Sequence, residues 1–177
     1  MSRLLATLTI SLCFVVSALT AQQPAPAGRG AGRGPQAPPP PAPAPGSPAI
    51  YKSNTELSEG LKQAIARANG EQSSAAVANT DQYRINVVHR EKAAGALAHA
   101  GNTELHYIIE GSGTVVTGGT IVRPAAGAGG TATIQNGETR RLQKGDVIVV
   151  PAGSPHWYSQ VDSPITYLEV RFVAPTK

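Results

Sequence analysis

The sequence is almost free of cysteine, since Cys13 is the only one, and it lies in an apolar run near the start of the chain. No disulfide can therefore form within one chain, and no pair of thiolates can hold a metal ion. The stability of the fold has to come from buried apolar surface. Any metal site has to be built from histidine and carboxylate side chains.

A hydrophobic run of membrane-spanning length is also lacking. The apolar stretch from Leu4 to Leu19 is only 16 residues long, whereas a spanning helix needs about 20. It follows a short basic start and precedes the small residue Ala21, which is typical of a secretory signal peptide over residues 1–21. We expect export to the periplasm or beyond, with no stable membrane anchor after cleavage.

The chain carries no real excess of charge. Its formal net charge is +4, but residues 49–177 hold 12 Lys and Arg against 11 Asp and Glu. This near balance gives no basic surface of the kind that binds nucleic acid, so we expect no nucleic-acid partner.

Residues 22–48 contain ten prolines and five glycines and almost no branched apolar side chains. Such a segment cannot bury enough surface to offset the entropy of ordering it. We therefore predict a disordered linker rich in proline, alanine and glycine that contributes nothing to stability.

Residues 49–82 are predicted to hold one helix and a connection to the main domain. Ser53 or Asn54 can cap a helix over residues 53–69, and apolar residues recur there at helical spacing. We expect this helix to pack on the outside of the domain that follows.

From Tyr83 onward the sequence changes to short β-like runs separated by glycines. We predict strands at residues 83–89, 104–110, 113–117, 120–123, 131–135, 138–142, 146–150, 156–161 and 165–173. No helical segment interrupts them, so an all-β sandwich, barrel or jelly roll is favoured over a parallel α/β fold.

Two clusters of residues in this region carry a specific pattern. The segment from Gly145 to His156 has a glycine, then Pro151 and Gly153, then the histidine. Pro151 and Gly153 predict a tight corner that delivers His156 to the start of the next strand. The other cluster has His99 five residues before Glu104, and Gly111 seven residues after Glu104.

These two clusters, in this order, resemble the two sequence motifs of the cupin superfamily. The resemblance implies a single all-β cupin barrel of jelly-roll type over residues 83–174, with one short N-terminal helix before it. It also implies that one divalent metal ion is held by His99, Glu104 and His156. The family's first motif histidine is missing, because Leu97 stands in its place.

The chemistry of this trio agrees with the resemblance. Two imidazoles and one carboxylate suit Zn, Mn, Fe or Ni and leave coordination positions open. The alternative is a barrel that has lost its metal and keeps these residues only as polar side chains.

Alternation along the strands extends the site to neighbouring positions. If Glu104 points inward, so does His106, and if His156 points inward, so do Tyr158 and Gln160. His106 could replace the missing ligand, but a role beside the metal or facing substrate is favoured. His106 and Tyr158 are the candidate catalytic residues, whereas His89 is expected to be a hydrogen-bonded wall residue.

Trp157 and Tyr107 are expected to point outward. They would need cover from the helix or from a second copy of the chain, and the family resemblance favours a homodimer.

Two functions are compatible with these residues. One is a metalloenzyme acting on a small molecule by oxygenase, isomerase or lyase chemistry. The other is a barrel that binds or senses a small molecule without catalysis. The fold alone does not choose between them.

Overall fold

The computed structural model describes residues 37–68 and 70–173. The expected signal peptide and residues 22–36 of the expected linker lie outside this range. In the part of the chain that is described, no helix is both long and apolar enough to cross a membrane.

In the described range one helix, α1 (Asn54–Ala66), precedes the strands. It begins with a capping box, in which the Ser53 hydroxyl accepts the backbone N–H of Glu56 at 3.2 Å. In return, the Glu56 carboxylate accepts the backbone N–H of Ser53 at 2.8 Å, so two otherwise unpaired donors are satisfied. The helix is three residues shorter at its end than predicted, and it lies against the first strand.

Eight strands follow in the described range. They are β1 (Gln72–Asn79), β2 (Tyr83–Arg90), β3 (Asn102–Thr117), β4 (Thr120–Val122), β5 (Thr133–Gln135), β6 (Glu138–Gln143), β7 (Val147–Val150) and β8 (His156–Val173).

The two longest strands, β3 and β8, organise the sheet. They pair with each other along most of their length, in the strand order β1-β2-β8-β3-β6. The first half of β3 also pairs with β7, and its second half pairs with β6. Strands β4 and β5 form a separate antiparallel pair. This architecture confirms the predicted all-β barrel with one short helix.

Strand β3 replaces two predicted strands that meet near Gly111, where the glycine was expected to end the first of them. In the structure Gly111 adopts a positive φ of 78° inside a continuous strand. A Cβ atom at this position would overlap the Pro164 carbonyl oxygen. Gly111 therefore allows β3 to bulge and bend against β8 without a break.

Strand β1 is absent from the sequence prediction. Its sequence, Gln-Ser-Ser-Ala-Ala-Val-Ala-Asn, contains one β-branched apolar residue, Val77, and therefore has weak strand propensity. Pairing with β2 in antiparallel register supplies its hydrogen bonds. One edge of the sheet thus lies within residues 49–82, where sequence reasoning expected only a helix and a connection.

The barrel interior changes from polar to apolar in successive rows across β2, β8 and β3. Directly opposed residues form three such rows, namely Arg84, Arg171 and Glu104, then Asn86, Glu169 and His106, then Val88, Tyr167 and Ile108. The last row belongs to the buried apolar core. Arg84 is exposed at the rim, and the other residues of the polar rows lie at one end of the interior, with the apolar core at the other.

Residues 37–48 contact the barrel although they form no helix or strand. The backbone N–H of Asp81 donates to the Pro40 carbonyl at 2.9 Å, and the Asp81 carboxylate accepts the Ala42 N–H at 2.9 Å. Pro43 and Pro48 lie beside the apolar side chains of Ile85 and Val170. The expectation that the whole segment 22–48 has no packing partner is therefore wrong for residues 37–48.

These contacts predict that residues 37–48 contribute to stability. A variant that begins at residue 49 should lose about 1–2 kcal/mol of unfolding free energy relative to one that begins at residue 37. Its melting temperature, measured by circular dichroism, should fall by about 3–8 °C. Equal melting temperatures would show that the contacts of Asp81 with this segment have no net effect.

Candidate metal centre

Glu104 lies at the centre of the candidate site. Only 1% of its surface is exposed, and in the strand register it stands between Arg171 on β8 and Val150 on β7. A carboxylate this deeply buried is costly unless positive charge or hydrogen-bond donors surround it. The neighbours of Glu104 therefore define what the site can do.

The two histidines of the expected trio come from separate segments that are joined by hydrogen bonds. Leu97 and His156 form a bridge in which each backbone N–H donates to the other's carbonyl, at 3.1 and 2.8 Å. The corner before β8 is fixed as well, because the Gly153 N–H donates to the His99 carbonyl at 2.9 Å. The predicted corner thus brings His156 next to the loop that carries His99.

The structure brings His99, Glu104 and His156 together. Their potential ligand atoms all lie within 4.8 Å of one another. His99 Nδ1 contacts Glu104 Oε1, and His156 Nε2 lies 3.6 Å from Glu104 Oε2. The imidazole rings of His99 and His156 are 5.4 Å apart.

The protonation states of Glu104 and His156 fit a cation. Burial alone would raise the pKa of Glu104, but hydrogen bonds from His106 and His99 and the charge of Arg171 outweigh it and hold the pKa below its usual range. Burial also lowers the pKa of His156, only partly opposed by the Glu104 charge. Glu104 is therefore ionised at neutral pH, and the neutral form of His156 is favoured.

Two atoms of the trio have no polar partner except each other. His99 Nδ1 and Glu104 Oε1 are both buried and contact one another, and no other group hydrogen-bonds to either atom. His156, by contrast, has its Nδ1 placed 3.1 Å from the Ser154 carbonyl, to which it donates, so its Nε2 carries a lone pair towards Glu104. A histidine held by a backbone carbonyl in this way is the usual arrangement of a metal ligand, so the residues fit a divalent ion.

His106 is fixed on both sides of its ring. Its Nδ1 lies 3.0 Å from the Tyr158 hydroxyl and its Nε2 lies 3.3 Å from Glu104 Oε2. Burial raises the pKa of Tyr158 well above its usual value, so the hydroxyl stays protonated and can donate to Nδ1. Nε2 then carries the proton and donates to Glu104.

Sequence reasoning missed two charged residues of the site, Glu169 and Arg171. The Arg171 guanidinium donates to Glu169 Oε2 at 2.9 Å and to His99 Nε2 at 3.2 Å, and its Nε lies 3.4 Å from Glu104 Oε2. The sequence pattern that could have identified them is in β8, where Tyr167, Glu169 and Arg171 alternate with apolar residues. Charged residues on the inward face of a core strand indicate a site.

A second group of potential ligands shares Glu104 with the trio. Glu104, His106 and Glu169 also have ligand atoms within 4.8 Å of one another. The oxygens of Glu169 are already engaged, however, since Asn86 donates to one at 3.2 Å and Arg171 donates to the other. The trio with His99 and His156 has the freer ligand atoms.

Two further expectations, for Gln160 and His89, have different outcomes. Gln160 was expected to point inward, but it is exposed and its amide donates to Asp162, because the register of β8 shifts against β3 at this point. His89 lies outside both ligand groups and hydrogen-bonds to the Thr166 hydroxyl at 2.9 Å, as a wall residue would.

The outward Trp157 is half-buried. Its indole N–H donates to the Ala94 carbonyl, so the loop before β3 covers it. Tyr107 was also expected to point outward, and it is 43% exposed.

Residues 63–168 match the family model described as Cupin, which is more than half of the chain. The chain therefore belongs to the cupin family. No curated protein matches it.

Solved structures that are similar to the chain show low sequence identity. They include the cupin domain of Cnp3 from Schizosaccharomyces pombe, with 15% identity over 62% of this chain and 67% of that one and a TM-score of 0.45. KdgF from Halomonas sp. has 16% identity over 61% and 85%, with a TM-score of 0.46. TT1209 from Thermus thermophilus has 19% identity over 72% and 100%, with a TM-score of 0.48.

The hydrogen bond between Tyr158 and His106 generates a prediction about stability. Tyr158→Phe should lower the free energy of unfolding by about 1–3 kcal/mol, because the buried His106 Nδ1 loses its donor. The exposed Tyr107→Phe is the matched control and should change it by less than about 0.5 kcal/mol. Urea denaturation measures both. ¹⁵N NMR of the His106 ring should show the proton on Nε2 in the unsubstituted protein, and a proton on Nδ1 would contradict the assignment.

Proposed function

We propose that the chain is a metal-dependent cupin that acts on a small molecule, with one divalent ion held by His99, Glu104 and His156. The observation that carries the proposal is that His99, Glu104 and His156 bring ligand atoms within 4.8 Å of one another, while the buried His99 Nδ1 and Glu104 Oε1 contact only each other. The Nε2 of His156 beside them is free of a hydrogen bond. Buried polar groups need partners, and a cation at this point would be a partner for all three residues.

The donor set limits which ion is bound. Two imidazole nitrogens and one carboxylate oxygen, without a thiolate, suit Zn, Mn, Fe or Ni. When bound, such an ion supplies a Lewis acid or a site for oxygen, which are the chemistries of the oxygenase, isomerase and lyase classes. Three protein ligands would leave positions for water and substrate.

The remaining buried residues would position the trio. The His106 Nε2–H donates to Glu104 Oε2 and so leaves Oε1 as the freer oxygen. Tyr158 holds the His106 ring through Nδ1, and its phenol ring stacks at 5.5 Å on the ring of Tyr167. We therefore propose that His106 and Tyr158 act by orienting Glu104, with His106 near enough to the trio to face substrate.

A second candidate function is non-catalytic binding of a small molecule, and Arg171 favours it. The guanidinium already pairs with Glu104 and Glu169, so it supplies positive charge without a metal. Arginine can only donate, so while Arg171 bonds to His99 Nε2, the neutral His99 ring carries its proton on Nδ1. His99 would have to give up this tautomer to bind a metal through Nδ1.

Export and self-association belong to the proposal as well. The basic start, the apolar run and Ala21 support removal of a signal peptide and a periplasmic or secreted location. The exposed apolar residues Val147 and Val149 on β7, 57% and 54% exposed, support a homodimer. The chain's balanced charge supports a small-molecule partner over nucleic acid.

The trio generates the central prediction. His99→Ala, Glu104→Ala and His156→Ala should each lose most of the bound metal, because two ligands remain where the ion needs at least three. His106→Ala should keep most of the metal and change ligand binding or activity. Elemental analysis of protein isolated from its native compartment measures the metal, and His89→Ala is the matched control outside the cluster.

Two outcomes would contradict the trio. If His106→Ala empties the site as completely as His156→Ala does, His106 is a ligand and the three-ligand arrangement is wrong. If the unsubstituted protein carries no metal and takes none up, the binding function is the correct one.

Leu97 generates a further prediction, because it stands directly opposite His156 and opposed residues point to the same side of a sheet. Leu97→His should add a fourth ligand and tighten metal binding. Competition against a chromophoric chelator measures the affinity, and Leu97→Ala controls for loss of the leucine. Equal affinities of the two variants would show that position 97 does not reach the ion.

A further inference from the structure

From the arrangement of Arg84 and Arg171, we infer that the ligand of this site is a small molecule carrying one carboxylate, which binds in the cavity beside His99. The inference rests on the proposed function, because it names the class of ligand for the same barrel. The cavity has a volume of about 450 Å³. His99 and Arg171 line it, and both belong to the metal centre or contact it.

Two arginines stand directly opposite each other on the wall of this cavity. Arg84 on β2 is the register partner of Arg171 on β8, and Arg171 is in turn the partner of Glu104. Like charges directly opposed across two strands destabilise a sheet. Here Arg171 is compensated by its ion pairs, whereas Arg84 is exposed to solvent at the rim of the cavity.

Only one of the two arginines has carboxylate partners. Arg171 pairs with Glu104 and Glu169. Arg84 forms no ion pair within the described residues, and its one side-chain hydrogen bond is to the neutral amide of Asn79 at 3.4 Å. One guanidinium at the cavity thus has no anion, and a carboxylate of the ligand would supply it.

The other lining residues favour a monoanion with hydroxyl groups. Asn79, Gln82 and Asn102 add amide groups that can bond to hydroxyls. Asp81 also lines the cavity, and its negative charge disfavours a dianion such as phosphate. A single carboxylate matches the single unpaired guanidinium.

Part of the N-terminal segment borders the same cavity. Pro39 lines it, and the two hydrogen bonds of Asp81 to Pro40 and Ala42 hold this segment at its rim. The backbone there is fixed to the barrel, so the segment limits the size of a ligand that enters.

The test uses gluconate as the probe and sorbitol as its neutral six-carbon control, with the full chain as isolated after export. Ligand-observed NMR titration should show binding of gluconate at least about tenfold tighter than of sorbitol, since a charge-assisted hydrogen bond is added. Arg84→Gln should weaken gluconate binding about tenfold and leave sorbitol unchanged. Arg123→Gln removes an equal charge from an exposed position outside the cavity and should change neither.

Three results would overturn the inference: gluconate no better bound than sorbitol, equal effects of Arg84→Gln and Arg123→Gln, or inorganic phosphate bound more tightly than gluconate. Metal content is measured in the same samples to separate this inference from the proposed function. If metal is present and Arg84 has no effect, only the carboxylate site fails. If metal is absent and gluconate still binds through Arg84, the carboxylate site stands and the metal centre fails.

Discussion

The burial of the Glu104 carboxylate is the constraint on which the rest of the site depends. With 1% of its surface exposed, this side chain is stable as an anion only if donors and positive charge surround it. The protein provides His106, His99 and Arg171 for this purpose. Two of these residues are then held by a partner further out, since Tyr158 fixes His106 and Glu169 fixes Arg171. The positions of these polar residues thus depend on one carboxylate.

The fold can bury Glu104 with its partners because polar and apolar rows lie at different depths in the same barrel. The row of Arg84, Arg171 and Glu104 is separated along the strands from the row of Val88, Tyr167 and Ile108 by one further polar row. The long strands β3 and β8 carry residues of all three rows, so the apolar core fixes the positions of the charged side chains. A rigid base of this kind is what a preorganised site needs.

The barrel and the trio could be predicted from sequence because their signals are local. Glycine and proline fix the corner before His156, and the spacing of His99 and Glu104 is a short motif. Strand β1 could not be predicted, because its pairing with β2 outweighs a weak intrinsic propensity. Glu169 and Arg171 were missed for a related reason. Their role depends on the register between β8 and β3, which aligns them with His106 and Glu104 and cannot be derived from one strand alone.

The balance of charge connects the metal centre with the carboxylate cavity. Glu104 and Glu169 are balanced by Arg171 and by the buried Arg90, so the interior has no net charge before an ion binds. A divalent ion would add two positive charges, and a carboxylate from a ligand would offset one of them. Charge buried without compensation is costly, so an occupied metal centre favours an anionic ligand over a neutral one. Arg84 at the rim of the cavity also favours an anionic ligand, and it is not one of the interior charges counted here. Two separate features, the unpaired guanidinium and the interior charge, therefore favour the same class of ligand.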